Sequence, residues 1–231
     1  MLDYSTQSPN QAPLELGRIT APKQYAELAI LVLDGSGSMT DPAVGKISKA
    51  DAVNQACRNL FTRFRVSSVA GNFDFSVIAF DDHAKSRLDP TPATQVDDNA
   101  DYNPLHGHGN GTNIYGALEL AEQQANEFLA RQPVGGVPHG AVIVLMSDGM
   151  CSDPARTQAV ADRIKHGANG AKIKIATAFF ATLGQNDPAG EQLLHSLASG
   201  PTLSKTVYDA ETLRGFFTAS ISTASGAGRM N

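Results

Sequence analysis

The chain has 231 residues, of which 42% are hydrophobic and 18% charged, enough apolar material for one buried core and too much for a disordered chain. Eighteen Lys and Arg against 23 Asp and Glu leave a formal charge of −5. With no dense basic run to neutralise phosphates, nucleic acid is not an expected partner.

The longest apolar runs, Leu28 to Leu33 and Ala141 to Met146, fall far short of the ~20 residues that cross a bilayer. The opening MLDYSTQSPNQAPLELG has neither the basic start nor the apolar stretch of a secretory signal. A soluble, cytoplasmic chain is therefore expected, with Cys57 and Cys151 as free thiols rather than a bridge.

Residues 1–24, with Pro9, Pro13 and Pro22 among polar side chains, read as an N-terminal arm; residues 25–222 read as one domain, and 223–231 as a small polar tail. Within the domain, LAILVL (28–33) is apolar at every position, as a strand covered on both faces must be. After a glycine-rich turn, Ile47, Ala50, Val53, Cys57, Leu60, Phe61 and Phe64 recur at steps of three and four, the mark of one helical face. FDFSVIAF (73–80) and Ala84 to Leu88 form a hairpin around Asp81, Asp82 and His83, with an antiparallel edge.

A polar loop spans Asp89 to Gly111, and loops of that length in a compact domain are usually functional or disordered. Ile114, Leu118, Ala121, Ala125, Phe128 and Leu129 mark a second amphipathic helix. AVIVLM (141–146) is a second strand apolar throughout, followed by a helix over Ala155 to His166 and a strand within 171–180. A short helix carrying Leu193, Leu194 and Leu197, a weak strand near Thr206 to Tyr208 and a last helix with Leu213, Phe216 and Phe217 complete the domain. Alternating strands and helices predict an α/β fold: a doubly wound, mostly parallel six-stranded sheet with one antiparallel edge strand and helices on both faces. Such sheets bind ligands outside the carboxyl ends of their strands, where strand order reverses.

Oxygen-bearing side chains gather in those places. Asp34-Gly35-Ser36-Gly37-Ser38 follows the first buried strand, Ser147-Asp148-Gly149 follows the second, and Gly111-Thr112 opens the helix between them. Glycine alternating with oxygen side chains lets the backbone turn tightly while Asp34, Ser36 and Ser38 converge. Hard oxygen donors without His or Cys suit magnesium, manganese or calcium rather than zinc.

DGSGS with a later GT and SDG is similar to the metal-ion-dependent adhesion site of the von Willebrand factor type A domain family, and the stretch from about 26 to 222 resembles that fold; the tellurium-resistance-associated bacterial branch looks nearest. The resemblance implies a metal site of Asp34, Ser36, Ser38, Thr112 and Asp148 holding Mg2+, with Mn2+ or Ca2+ as alternatives. Ser36 and Ser38 would bind directly, Thr112 directly or through water, and Asp34 and Asp148 mainly through hydrogen bonds and water. It also implies a protein partner that supplies a Glu or Asp to the metal, no enzymatic activity, and a last helix that moves when coordination changes.

Plainer roles are assigned to several neighbours. His106 and His108, in HGHGNGT, read as a solvated loop pair that lines the rim at most. Gly107, Gly109 and Gly111 follow no strand and precede no Gly-Lys-Ser/Thr, so a nucleotide loop is rejected, and Asn110-Gly111-Thr112 is a coincidental glycosylation sequence. Asp81 and Asp82 read as solvated at the hairpin tip, and Cys151 as an incidental loop thiol.

Two other classes compete with the interaction module. A metal-assisted phosphohydrolase would use Asp34 as nucleophile, but Ser36 stands where a second acid is needed and no well-placed lysine is evident; G-x-S-x-G does not fit around Ser36 or Ser38. A structural adaptor would leave the metal site unused and bind through another surface, such as the 89–111 loop.

Overall fold

Strand β1 (Ala26–Asp34) is buried along its whole length, because it has a strand on either side and helices above and below. A computed structural model, which describes residues 23–131, 136–149, 151–184 and 187–224, places it third in a six-stranded sheet. The others are β2 (Phe73–Phe80), β3 (Ala84–Pro92), β4 (His139–Ser147), β5 (Ile173–Phe180) and β6 (Ser204–Val207), and the order is β3-β2-β1-β4-β5-β6. Every pairing is parallel except β2 with β3, the antiparallel edge that the short turn at Asp81 to His83 requires. The expected α/β architecture is the one observed.

Helices α1 (Lys49–Arg65), α2 (Ile114–Leu129), α3 (Pro154–His166), α4 (Pro188–Leu197) and α5 (Ala210–Ala224) cover the two faces. Alternation along β1 decides which residues meet which helices. Ala29, Leu31 and Leu33 pack into a cluster with Val53, Leu60 and Phe64 of α1 and with Leu213 and Phe217 of α5. Leu28, Ile30 and Val32 face Leu118 and Ala121 of α2, Val160 and Ile164 of α3, and Leu194 of α4. Full burial of each such Leu or Ile contributes about 1.5–3 kcal/mol, which is why β1 is apolar at every position from Leu28 to Leu33.

Helix starts follow local chemistry. Asp153 and Asp187 cap α3 and α4 by accepting from the Arg156 and Gly190 N–H groups, each followed by a proline at the first helical position. Ser48 caps α1 and Asn113 caps α2 in the same way.

Some expected boundaries shift. Helix α1 begins at Lys49, so Ile47 precedes it and is exposed, its place taken by a bridge between Pro42 and Ser48. Strand β3 continues to Pro92 rather than stopping at Leu88, because irregularities in the β2–β3 register let it follow the twist of β2. The loop after it is ordered against α1: Tyr102 is buried with its ring 4.8 Å from that of Phe61, its N–H donates to Asn54, and Thr62 donates to Asp98. Cys57 and Cys151 are free thiols, as expected. The arm through residue 22 and the tail from 225 lie outside the described residues. Among the described residues no helix is long and apolar enough to cross a membrane.

Candidate functional site

In this strand order the chain goes to one side of β1 with β2 and to the other with β4, so the crevice beyond the ends of β1 and β4 is the topological switch point. Leu33 pairs with Met146, which brings Asp34 at the end of β1 beside Ser147 at the end of β4. Both carboxyl-terminal loops therefore open into the same space, an open cavity of about 710 Å³.

Asp34 is wholly buried, and its carboxylate organises both loops. One oxygen accepts from the Ser36 backbone N–H at 2.8 Å; the other accepts from the Ser147 hydroxyl at 2.5 Å. Burial raises this carboxyl to about 6, the charge of Asp148 adds to the rise, and the hydrogen bonds from Ser147 and Ser36 oppose it. Ser36 and Ser38 bring their hydroxyl oxygens to 3.1 Å of each other, and Ser38 donates to Asp148 Oδ1 at 2.8 Å. Thr112, half-exposed, lines the same cavity. Among the described residues its hydroxyl makes no hydrogen bond, while its carbonyl accepts from the Ser152 hydroxyl and N–H. Ser36, Ser38, Thr112 and Asp148 thus line one cavity, with Asp34 buried behind them; hydrogen bonds join Asp34, Ser36, Ser38 and Asp148.

Sequence reasoning missed two members. Ser147 supplies the hydroxyl that fixes Asp34. Lys49, at the first position of α1, reaches in from the side: its Nζ lies 2.7 Å from Asp148 Oδ2 and 3.9 Å from Asp41, with the Lys49 and Asp148 side chains each 3% exposed. The absence of a nearby lysine, counted against hydrolase chemistry, is corrected here. The signal was present as a lone Lys directly after the Ser48 cap, where a helix start favours acids rather than bases.

The glycines of the first loop are required for close approach rather than for unusual dihedrals, since neither Gly35 nor Gly37 has a positive φ. A Cβ on Gly35 would stand 2.3 Å from the Pro104 carbonyl oxygen and 3.0 Å from His108 Cβ. The expectation that Asp81 is solvated is also corrected: it is 4% exposed and ties the hairpin tip to the loop before α2. Its carboxylate accepts from the His83 N–H and from Asn110, its carbonyl accepts from the Asn113 N–H, and His108 Nδ1 lies 3.1 Å away. Burial would raise this carboxyl, but the hydrogen bonds from His83, His108 and Asn110, with the His108 charge, outweigh it and hold it at about 2.

The histidine pair divides accordingly. His106 is exposed and bonded to Asp101, as a solvated loop residue should be, whereas the His108 side chain is 1% exposed beneath the loop, not solvated. Cys151 lines the cavity, with its sulfur 3.0 Å from the Thr157 hydroxyl.

Among the described residues no group of three or more His, Cys, Asp and Glu is arranged as a metal cluster. The donor set here is of another kind, two serine hydroxyls and a threonine hydroxyl backed by two aspartates. Ligands on adjacent corners of an octahedral magnesium ion, each about 2.1 Å from it, stand about 3.0 Å apart. The 3.1 Å between the Ser36 and Ser38 oxygens matches that spacing.

A family model described as von Willebrand factor type A domain matches residues 29–150, more than half of the chain. No curated protein sequence matches. Among solved structures, the pilus adhesin SpaC from Lactobacillus rhamnosus GG in its open conformation superposes with a TM-score of 0.67 at 12% identity, covering 90% of this chain and 31% of that one. The PilB minor pilin from Streptococcus sanguinis gives 0.66 at 14% identity, covering 90% and 63%. The conserved hypothetical protein BatB from Bacteroides thetaiotaomicron gives 0.57 at 17% identity, covering 87% and 99%. At these identities the likeness is one of fold, and the chain corresponds to less than a third of the adhesin's length. Strand order, site position and the match over β1 to β4 together make this chain a member of the von Willebrand factor type A domain family.

Proposed function

We propose that this chain is a protein-interaction module that holds a divalent cation, Mg2+ by preference, among Asp34, Ser36, Ser38, Thr112 and Asp148, and that recognises a Glu or Asp of a partner through that ion. The observation that carries the reading is the convergence of Ser36, Ser38, Thr112 and Asp148, from three separated loops, on one open cavity at the switch point, with the buried Asp34 holding the first loop from behind. Neutral hydroxyls nearest the ion, with carboxylates tied into hydrogen bonds behind them, leave most of its charge available to an incoming carboxylate. When bound, the ion supplies a Lewis-acidic point for that carboxylate. The chain's own residues orient the donors: Asp34 fixes the Ser36 backbone, and Asp148 accepts from Ser38.

A protein partner also accords with the printed descriptions of the fold relatives, a pilus adhesin and a minor pilin. A phosphohydrolase is less well supported, because both oxygens of Asp34 are engaged and the residue is wholly buried, which leaves no free oxygen for nucleophilic attack. An adaptor with an unused metal site would bind its partner equally well in chelator. The tellurium-resistance branch stays part of the proposal and rests on the sequence resemblance; a cytoplasmic setting is proposed with it.

The test is calorimetric titration of the chain with MgCl2 and MnCl2, together with affinity capture from native cells in Mg2+ and in EDTA. Saturable metal binding abolished by Ser36→Ala, with capture lost in EDTA, is the expected result. Absence of metal binding by the folded wild type, or capture that survives EDTA, would overturn it.

A further inference from the structure

Lys49 is out of place by every measure but one. Its side chain is 3% exposed, although a buried ammonium is costly unless it is paired. It is the first residue of α1, where the free N–H groups and the helix dipole favour anions and oppose a cation. Holding its long stem in one conformation also costs rotamer entropy. The contact that offsets these costs is the 2.7 Å bond from Nζ to Asp148 Oδ2, with Asp41 3.9 Å away on the solvent side.

Both oxygens of Asp148 are thereby engaged, Ser38 on one and Lys49 on the other. In the cavity lined by Ser36, Ser38, Thr112 and Asp148, the Asp148 carboxylate is held by a positive charge of the protein itself. A dication settling against Ser38 would face that ammonium across one carboxylate, and two cations sharing a partly buried site repel strongly.

We propose that Lys49 is a built-in cation that stands in for the divalent ion: its ammonium holds Asp148 while the site carries no metal, and metal entry is an exchange in which Lys49 releases Asp148. The inference rests on the metal-binding function proposed above. It accounts for a buried lysine placed against Asp148, and it raises the free divalent concentration needed for loading, because the metal must displace a tethered competitor. Lys49 acts here as a positioning residue for Asp148.

Two measurements on the full chain test it. Mn2+ binding is followed by electron paramagnetic resonance for wild type, Lys49→Met and Lys49→Arg, with circular dichroism to verify folding. Lys49→Met is expected to bind Mn2+ more tightly, about tenfold, because the competing charge beside Asp148 is gone, and Lys49→Arg to stay close to wild type. Equal or weaker binding by folded Lys49→Met overturns the exchange and leaves the metal function standing. No Mn2+ binding by any of the three overturns both.

The second measurement needs no variant and decides the matter if Lys49→Met does not fold. Amine acylation of the wild-type chain, read by mass spectrometry, is expected to modify Lys49 several-fold faster in saturating Mg2+ than in EDTA, with other lysines unchanged. An unchanged Lys49 rate under saturating metal overturns the exchange.

Discussion

The Ser147 hydroxyl donates to the buried Asp34 carboxylate at 2.5 Å, across 113 residues of sequence and between the ends of two adjacent parallel strands. The bond joins the loops after β1 and β4 at their roots. Ser147→Ala removes the donor while leaving the acceptor buried, and it is expected to cost about 1–3 kcal/mol in urea unfolding. The same variant is expected to weaken Mn2+ binding roughly 10–100-fold, since Asp34 loses the group that orients it. A stability loss with unchanged Mn2+ affinity would confine Ser147 to a structural role.

Gly35→Ala tests the close approach of the loop before α2. The added methyl would meet the Pro104 carbonyl oxygen at 2.3 Å, backbone that cannot move aside as a flexible side chain can. A loss of about 1–3 kcal/mol or more is expected in chemical denaturation. Gly45→Ala, at a surface glycine with open space around it but φ +101, is expected to be strained for a different reason and to leave metal binding unaffected.

Asp81→Ala breaks the clasp between the hairpin tip and the loop that leads to Thr112. It removes the carboxylate beside the buried His108 ring and deprives Asn110 of its acceptor, for an expected loss of about 1–3 kcal/mol in thermal or urea unfolding. The acid limb of stability should report the same group. Its folded carboxyl sits at about 2, below the ordinary value of 3.8, so its contribution is present above that ordinary value and disappears as pH falls through about 2. The variant is expected to lose less stability than wild type over that interval.

Glu27 lies at the opposite pole, near the start of β1, 4% exposed and packed against Gly140 of β4. Burial raises its carboxyl from 4.5 to about 8. The folded chain therefore keeps a proton that the unfolded chain releases, and stability falls as pH rises from about 4.5 through about 8. Glu27→Gln is expected to flatten this decline and to raise the melting temperature at pH 8 relative to wild type, measured by scanning calorimetry at pH 5, 6.5 and 8. An identical pH dependence in the variant would show that Glu27 does not carry it.

Much of this architecture was legible in residue order. LAILVL and AVIVLM are apolar at successive positions because strands in the interior of a doubly wound sheet are covered on both faces, and the hairpin is announced by a three-residue turn too short for a crossover. The proposed donors Asp34, Ser36, Ser38, Thr112 and Asp148 stood out because strand ends at a switch point are set by topology, and topology follows from the alternation of elements. Long-range geometry determined the rest. Asp81 read as a solvated turn residue because nothing local reveals that the loop from 93 to 113 folds back over it. Lys49 was not singled out, since its burial depends on Asp148, 99 positions away in sequence and brought within reach by the β1–β4 pairing. Pattern along the chain specifies which faces are buried, a consequence of hydrophobic periodicity; which charge meets which is decided by packing, because electrostatic partners are selected by distance in space rather than by distance along the backbone.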